Sequence, residues 1–203
     1  MASPHRQTAQ SNSWSLLEAI RKRMDIVGVF SVAFVSAFGG GTVRDVLLDR
    51  RPLFWIQNQE YVWLVLALAL TAPLWLKTFQ YQLTEKAMEL ADAFGLGLFA
   101  ISGASIATAA GMPPLVAILM GAITAVFGGV SRDVLCNQIP KVYRAHRPYT
   151  LCAVVGCAVF LGVDAFGFPP PVSMTAGICT ATASRLLAVA FGWKLPAWRA
   201  PKP

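Results

Sequence analysis

Charge is what this chain has least of. Only 13% of its 203 residues are Asp, Glu, Lys or Arg, and two are histidine, which leaves too few polar groups to wet the surface of a soluble domain. No GxxxxGK[ST], HExxH or GxSxG pattern occurs, and neither histidine lies near a carboxylate cluster inside an apolar run. A phosphate loop, a zinc-protease site and a nucleophile elbow are thereby excluded, and no catalytic residue, cofactor or resident metal is expected. The four cysteines, Cys136, Cys152, Cys157 and Cys179, have no CxxC spacing and sit in or beside apolar runs, where they read as small buried hydrophobes. A TVGYG-like filter and a carboxylate ring are missing too. The net charge of +7 comes without any basic-aromatic reader pattern, so it does not call for a nucleic-acid partner.

What the chain has is apolar surface. Hydrophobic residues make up 56% of it and the mean hydropathy is +0.56, as in a polytopic membrane protein whose first partner is the lipid bilayer. Six runs approach the roughly 20 residues that a helix needs to cross hydrocarbon: about Met24–Leu48, Tyr61–Leu76, Leu90–Ala110, Leu115–Cys136, Tyr149–Val163 and Val172–Trp193. All are expected to be helices, because an open strand leaves its backbone unsatisfied in lipid. Pro52, Pro113, Pro114, Pro140, Pro148 and Pro169 to Pro171 punctuate the connections.

Charge placement sets the expected orientation. With six spans and a cytoplasmic N-terminus, twelve of the seventeen basic residues lie inside: Arg6, Arg21, Lys22 and Arg23, then Lys77 and Lys86, then Lys141, Arg144 and Arg147, then Lys194, Arg199 and Lys202. The connections AAGMPPL and DAFGFPPP carry none. The positive-inside rule therefore predicts a multi-pass protein of the cell (inner) membrane with both termini cytoplasmic, polar tails at 1–23 and 194–203 included. The segment before Met24 does not read as a secretory signal, since Arg21, Lys22 and Arg23 lead directly into a long apolar run.

One stretch occurs twice. Val35 to Leu48 reads VSAFGGGTVRDVLL, and at an offset of 88 Thr124 to Leu135 reads TAVFGGVSRDVL. Gly40, Gly41, Arg44 and Asp45 fall on Gly128, Gly129, Arg132 and Asp133, and the register extends from Met24 on Met112 to Pro52 on Pro140. An internal duplication follows. Three spans separate the copies, so they run in opposite directions, as in the inverted repeats of transport proteins, which place the permeant path near the repeat interface.

GGGTVRDVLLDRRPLFWI, then DAFGLGLFAISG, then the second GG-x-x-RDVL with Pro140, resembles a bacterial membrane family related to the trimeric intracellular cation channels, whose repeated unit is also called a glycine-transporter domain. The resemblance covers about Met24 to Pro196. It implies an all-α polytopic fold: an inverted repeat of three-helix units plus a final helix, seven helices in the family pattern against six spans predicted here. It also implies a homotrimer with a pore in each protomer, centred on the glycine-interrupted second and fifth helices. Residues 24–86 form the first repeat with two of its three helices, 87–165 the second repeat, and 172–193 the final helix. The counterpart of the third span falls on 2–22, which is not apolar, so the family's first helix is missing.

The candidate site is the doubled motif. Gly39, Gly40, Gly41, Gly128 and Gly129 are expected to break their helices and open backbone to a water-filled path, or else to let helices pack closely through the stripes Ala33, Ala37, Gly41 and Gly121, Ala125, Gly129. Phe127 stands where the first copy has Gly39. Arg44, Asp45, Arg132 and Asp133 are the main ionisable groups near the membrane interior, where a lone charge is costly. Adjacent positions on a helix diverge, so the expectation is reciprocal pairing, Arg44 with Asp133 and Arg132 with Asp45, or else snorkelling at the span ends. Asp92 is expected to cap the third span or meet an ion. Ser102 and Gly103 contribute to the path or pack, Arg185 snorkels, and the tryptophans anchor at the interface. The function expected is a channel for small monovalent cations, potassium-like. The alternatives are a secondary transporter of a small amino acid such as glycine, or a non-conducting truncated homologue.

Overall fold

A computed structural model describes residues 26–79, 85–140, 142 and 148–193. Among the described residues every regular element is helical: α1 (Ile26–Leu47), the four-residue α2 (Phe54–Gln57), α3 (Gln59–Phe79), α4 (Glu85–Ala109), α5 (Pro114–Leu135), α6 (Tyr149–Ala165) and α7 (Pro170–Ala190). The six long helices fall on the six apolar runs. Four segments, α1, Glu89–Ala109 of α4, α5 and α7, are long and apolar enough to cross a membrane, whereas Gln59–Thr71 of α3 and the whole of α6 are apolar but shorter. The second apolar run ends at Leu76, and α3 continues through Pro73 to Phe79. Both polar tails, the stretch 2–22, Arg144, His146, Arg147 and Trp198 lie outside the described residues, as do the side chains of Trp75 and Lys77.

The duplication extends to individual hydrogen bonds. At the end of α1 the amides of Leu48, Asp49 and Arg50 donate to the carbonyls of Arg44, Val46 and Asp45, at 2.9, 3.2 and 2.8 Å. At the end of α5 the amides of Cys136, Asn137 and Gln138 donate to Arg132, Val134 and Asp133, at 2.9, 2.9 and 2.8 Å. Every donor and every acceptor is displaced by the same 88 residues. This is a Schellman ending, and it requires a left-handed residue just past the helix. Asp49 and Asn137 occupy that position with φ of 49° and 52°, which short polar side chains tolerate better than others do. Helices α4 and α7 end in the same way on Gly111 and Gly192. At the other end, Pro114 and Pro170 open α5 and α7, where a missing amide costs nothing.

The chain divides into two compact units. One lies within Met1–Asp92 and Phe127–Gln138, the other within Ala93–Val126 and Ile139–Pro203. In the first unit α3 packs on α1, and the final turns of α5 join them. In the second, glycines bring backbones together. A methyl group on Gly156 would lie 2.5 Å from the Cβ of Ala181 and 2.9 Å from the carbonyl of Gly177. One on Gly121 would lie 2.6 Å from the carbonyl of Ala100 and 2.5 Å from the Sγ of Cys157. Around these crossings Leu96, Ala100, Ile101, Ala104, Cys157 and Phe160 form a buried cluster. In lipid, association of helices rests on such close packing rather than on expulsion of water.

Candidate functional site

The hydroxyls of α1 are bound within their own helix. Ser31, Ser36 and Thr42 each donate to the carbonyl four residues earlier, at 2.8, 2.7 and 2.8 Å, the usual way for a polar side chain to exist in an apolar helix. The glycines do not break the helices. Both α1 and α5 run unbroken through the motif, so the expected interruption gives way to a close crossing. A methyl group on Gly128 would collide with the carbonyl oxygen of Ser36, and would lie 3.4 Å from the carbonyl carbon of Ser36 and 3.9 Å from the amide nitrogen of Gly40. One on Gly39 would lie 3.7 Å from the Cα of Gly128 and 3.9 Å from the Oγ of Ser131. The two copies of the motif therefore meet at Ser36, Gly39, Gly40, Gly128 and Ser131. Of the expected stripes, Gly121 packs within the second unit, while Ala33 and Ala37 are half-buried. Phe127, in place of a glycine, is on a face that is 39% exposed, which is why its ring does not obstruct the crossing.

Gly41 and Gly129 are placed differently: each lies beneath an arginine, at ordinary van der Waals distance. A Cβ on Gly41 would be 3.6 Å from the Nη2 of Arg44, and one on Gly129 would be 3.9 Å from the Nη2 of Arg132. In both copies the arginine runs back toward the start of its helix, as helical side chains do, and lays its guanidinium over a glycine three residues earlier.

Folded back in this way, each guanidinium reaches the aspartate beside it. Arg44 donates from Nε to Oδ1 of Asp45 at 2.9 Å, and its Nη2 lies 2.8 Å from the same oxygen. Arg132 donates from Nε to Oδ1 of Asp133 at 3.1 Å. Reciprocal pairing across the repeat is thereby overturned. Antiparallel helices that cross at Gly39 and Gly128 carry their arginines away from the crossing in opposite directions, five and four residues along, which separates them by about 13 Å at the helical rise. Plain snorkelling fails for the first pair as well, since Arg44 and Asp45 are 4% and 2% exposed. The second pair is wetter, with the Arg132 side chain 26% exposed. The other oxygen of Asp45 accepts the backbone N–H of Phe54, the first residue of α2, at 2.9 Å, and Arg50 Nη1 stands 4.0 Å from Oδ1.

Of the four lesser candidates, Asp92 departs from the cap and Arg185 from the snorkelling expected of them. Asp92 lies well inside α4, which begins at Glu85, and so does not cap it: the good helix formers Glu85 to Leu90 extend the helix below the apolar run. Gly103 is a packing position, since a Cβ there would lie 2.5 Å from Thr124 Oγ1 and 3.0 Å from the Cα of Gly121. Ser102 beside it is half-buried. Arg185 holds its guanidinium 4.6 Å from the centre of the Tyr149 ring, a cation–π contact rather than a free reach to the interface.

Sequence reasoning missed an aromatic column. Phe30, Phe34 and Phe38 stack along α1 with centroids 5.8 and 4.9 Å apart, Trp55 meets Phe34 edge-on at 5.4 Å, and Phe54 links Phe38 to Tyr61 at 6.1 and 5.6 Å. The spacing of four was a visible signal. It is confined to the first copy, because the offset lands on Ile118, Ala122 and Val126.

A duplicated, wholly helical membrane protein, with its two glycine-arginine motifs crossing in one unit, is the class that these features define. The sequence profile of the Glycine transporter family matches it twice, over residues 14–77 and 89–165, and the chain belongs to that family. The first match reaches back beyond Met24, where the resemblance began. The chain is 32% identical to the UPF0126 inner membrane protein YadS of Escherichia coli (strain K12), over 89% of this chain and 87% of that one. Among solved structures it is similar to the TRIC trimeric intracellular cation channel orthologue from Rhodobacter sphaeroides, with 38% identity, a TM-score of 0.77, and 88% and 91% of the two chains covered. It is also similar to a TRIC cation channel studied for the basis of its conductance, with 31% identity, a TM-score of 0.84, and 93% and 92% covered.

Proposed function

We propose that this protein is a channel for small monovalent cations, potassium-like in preference, working as a homotrimer in the cell (inner) membrane with a pore in each protomer. The pore runs along the crossing of α1 and α5, and both termini face the cytoplasm. Residues 24–86 and 87–165 are its two repeats.

The observation that carries this reading is that the charges beside the crossing are neutralised within each copy of the motif. Gly39 and Gly128 bring the two copies of the motif together beside Ser36 and Ser131. Two uncompensated arginines there would repel cations, but each is held by its neighbouring aspartate at 2.8 to 3.1 Å. The similarity to TRIC cation channels supports the same reading.

Liposomes holding the purified full chain test it. Potassium efflux that rises without saturation and needs no coupling ion is the expected result. Saturable uptake of glycine without efflux would make the protein a carrier, and neither activity would make it a non-conducting member of the family.

A further inference from the structure

We propose that α2 is a lid on the arginine end of α1, with Phe54 as its plug and Asp45 as its latch. The inference rests on the pore reading above and adds a gate to it.

Phe54 occupies the notch left by Gly41. Its Cδ1 stands 3.8 Å from where a Cβ on Gly41 would be, next to the Nη2 of Arg44 at 3.6 Å. The ring and the guanidinium thus share one glycine. The carboxylate that neutralises Arg44 through Oδ1 holds the N–H of Phe54 through Oδ2, so the charge pair and the position of the plug depend on one side chain.

Two features make this arrangement one that opens. The helix α2 has four residues, too few to persist on hydrogen bonds of its own, so its position depends on Asp45 and on ring contacts with Phe34, Phe38 and Tyr61. The indole Nε1 of Trp55 is also buried without an acceptor among the described residues. Such a donor costs free energy as long as it stays dry, and it regains water when the segment lifts. The closed state therefore carries a built-in penalty beside its packing.

Among the described residues, no ring stands at the equivalent place in the second copy. Its equivalent of Gly41 is Gly129, where a Cβ would meet only Arg132 Nη2 within 4 Å among the described residues, and the position equivalent to Phe54 is Val142. The ring lies at the end of the inverted repeat that carries Arg44. With both termini cytoplasmic, that end faces outward.

Potassium efflux from liposomes, carried out on full-chain variants, tests the lid. Phe54→Ala is expected to raise the efflux rate roughly tenfold, the change produced when about 1.4 kcal/mol of closed-state stabilisation is removed, and Phe54→Leu, which keeps apolar bulk in the notch, much less. A second measurement places Gly41→Cys and Phe54→Cys together on a Cys179→Ser background. Oxidation is expected to join them and to lower efflux, and a reductant to restore it. If Phe54→Ala does not fold, the cross-link decides. Efflux from the unmodified protein that neither variant alters, or a cross-link that forms without effect, overturns the lid and leaves the pore standing. Absence of efflux from the unmodified protein and all variants overturns the pore reading, and the lid with it.

Discussion

Gly128 lies so close to the carbonyl oxygen of Ser36 that no Cβ fits between them. Thirty-six and 128 are far apart in sequence, and their meeting fixes where one copy of the motif crosses the other. Gly39, on the facing helix, has only ordinary van der Waals neighbours, the nearest 3.6 Å from a built Cβ.

These two glycines should respond oppositely to alanine. Gly128→Ala forces apart two backbones that have no flexible side chain to yield, at a cost of about 1–3 kcal/mol. Gly39→Ala meets no obstacle and removes the conformational freedom of glycine from a helix, for a gain of about 0.5–1 kcal/mol. Thermal unfolding of the detergent-solubilised variants, followed by intrinsic fluorescence, distinguishes them; equal midpoints would remove the crossing.

The two aspartates should differ in the same kind of experiment. Asp45→Asn leaves Arg44, 4% exposed, without its counter-charge, a loss of about 3–5 kcal/mol for a buried pair. Asp133→Asn leaves Arg132, with a 26% exposed side chain, able to reach water, so its loss is smaller. A larger drop in the melting midpoint for Asp133→Asn would contradict the burial of the first pair.

A comparison within the second unit separates glycines that pack from those that do not. Gly156→Ala places a methyl group 2.5 Å from the Cβ of Ala181 and 2.9 Å from a backbone oxygen, and destabilises by about 1–3 kcal/mol. Gly95→Ala has nothing within 4 Å and stabilises by about 0.5–1 kcal/mol. The same melting assay reads both, and a Gly156→Ala midpoint at or above that of the unmodified protein would refute the tight α6–α7 crossing.

Thiol labelling reports the lipid-facing surface. Cys136, Cys152 and Cys157 are buried, while Cys179, midway along α7, is exposed. In membranes, Cys179 should resist a charged, impermeant maleimide, because its thiol cannot lose a proton to hydrocarbon, and should react once the protein is denatured in aqueous detergent. Rapid labelling by the charged reagent would show α7 to be in contact with water at its centre.

The helices were legible because hydrophobicity in lipid is a nearly one-dimensional signal: a run such as Leu115–Cys136 has no stable alternative to the helix Pro114–Leu135. The doubled motif was legible because it is written twice. The pairing of its charges was not. The rule that neighbours on a helix diverge treats side chains as short, whereas Arg44 is long enough to turn back over Gly41 and meet Asp45. Nor did an arginine-aspartate pair at a helix end announce that Asp45 also holds the amide of Phe54, a contact that depends on how the intervening loop folds.

The matched endings of α1 and α5 bear on how the protein is made. On the inverted topology proposed above, one copy of the motif lies at each face of the membrane, and Asp49 and Asn137 turn the chain in two different compartments. They do so with the same hydrogen bonds, all of them between backbone atoms within six residues. The instruction to stop is thus carried by the peptide itself and is independent of the aqueous phase that it enters.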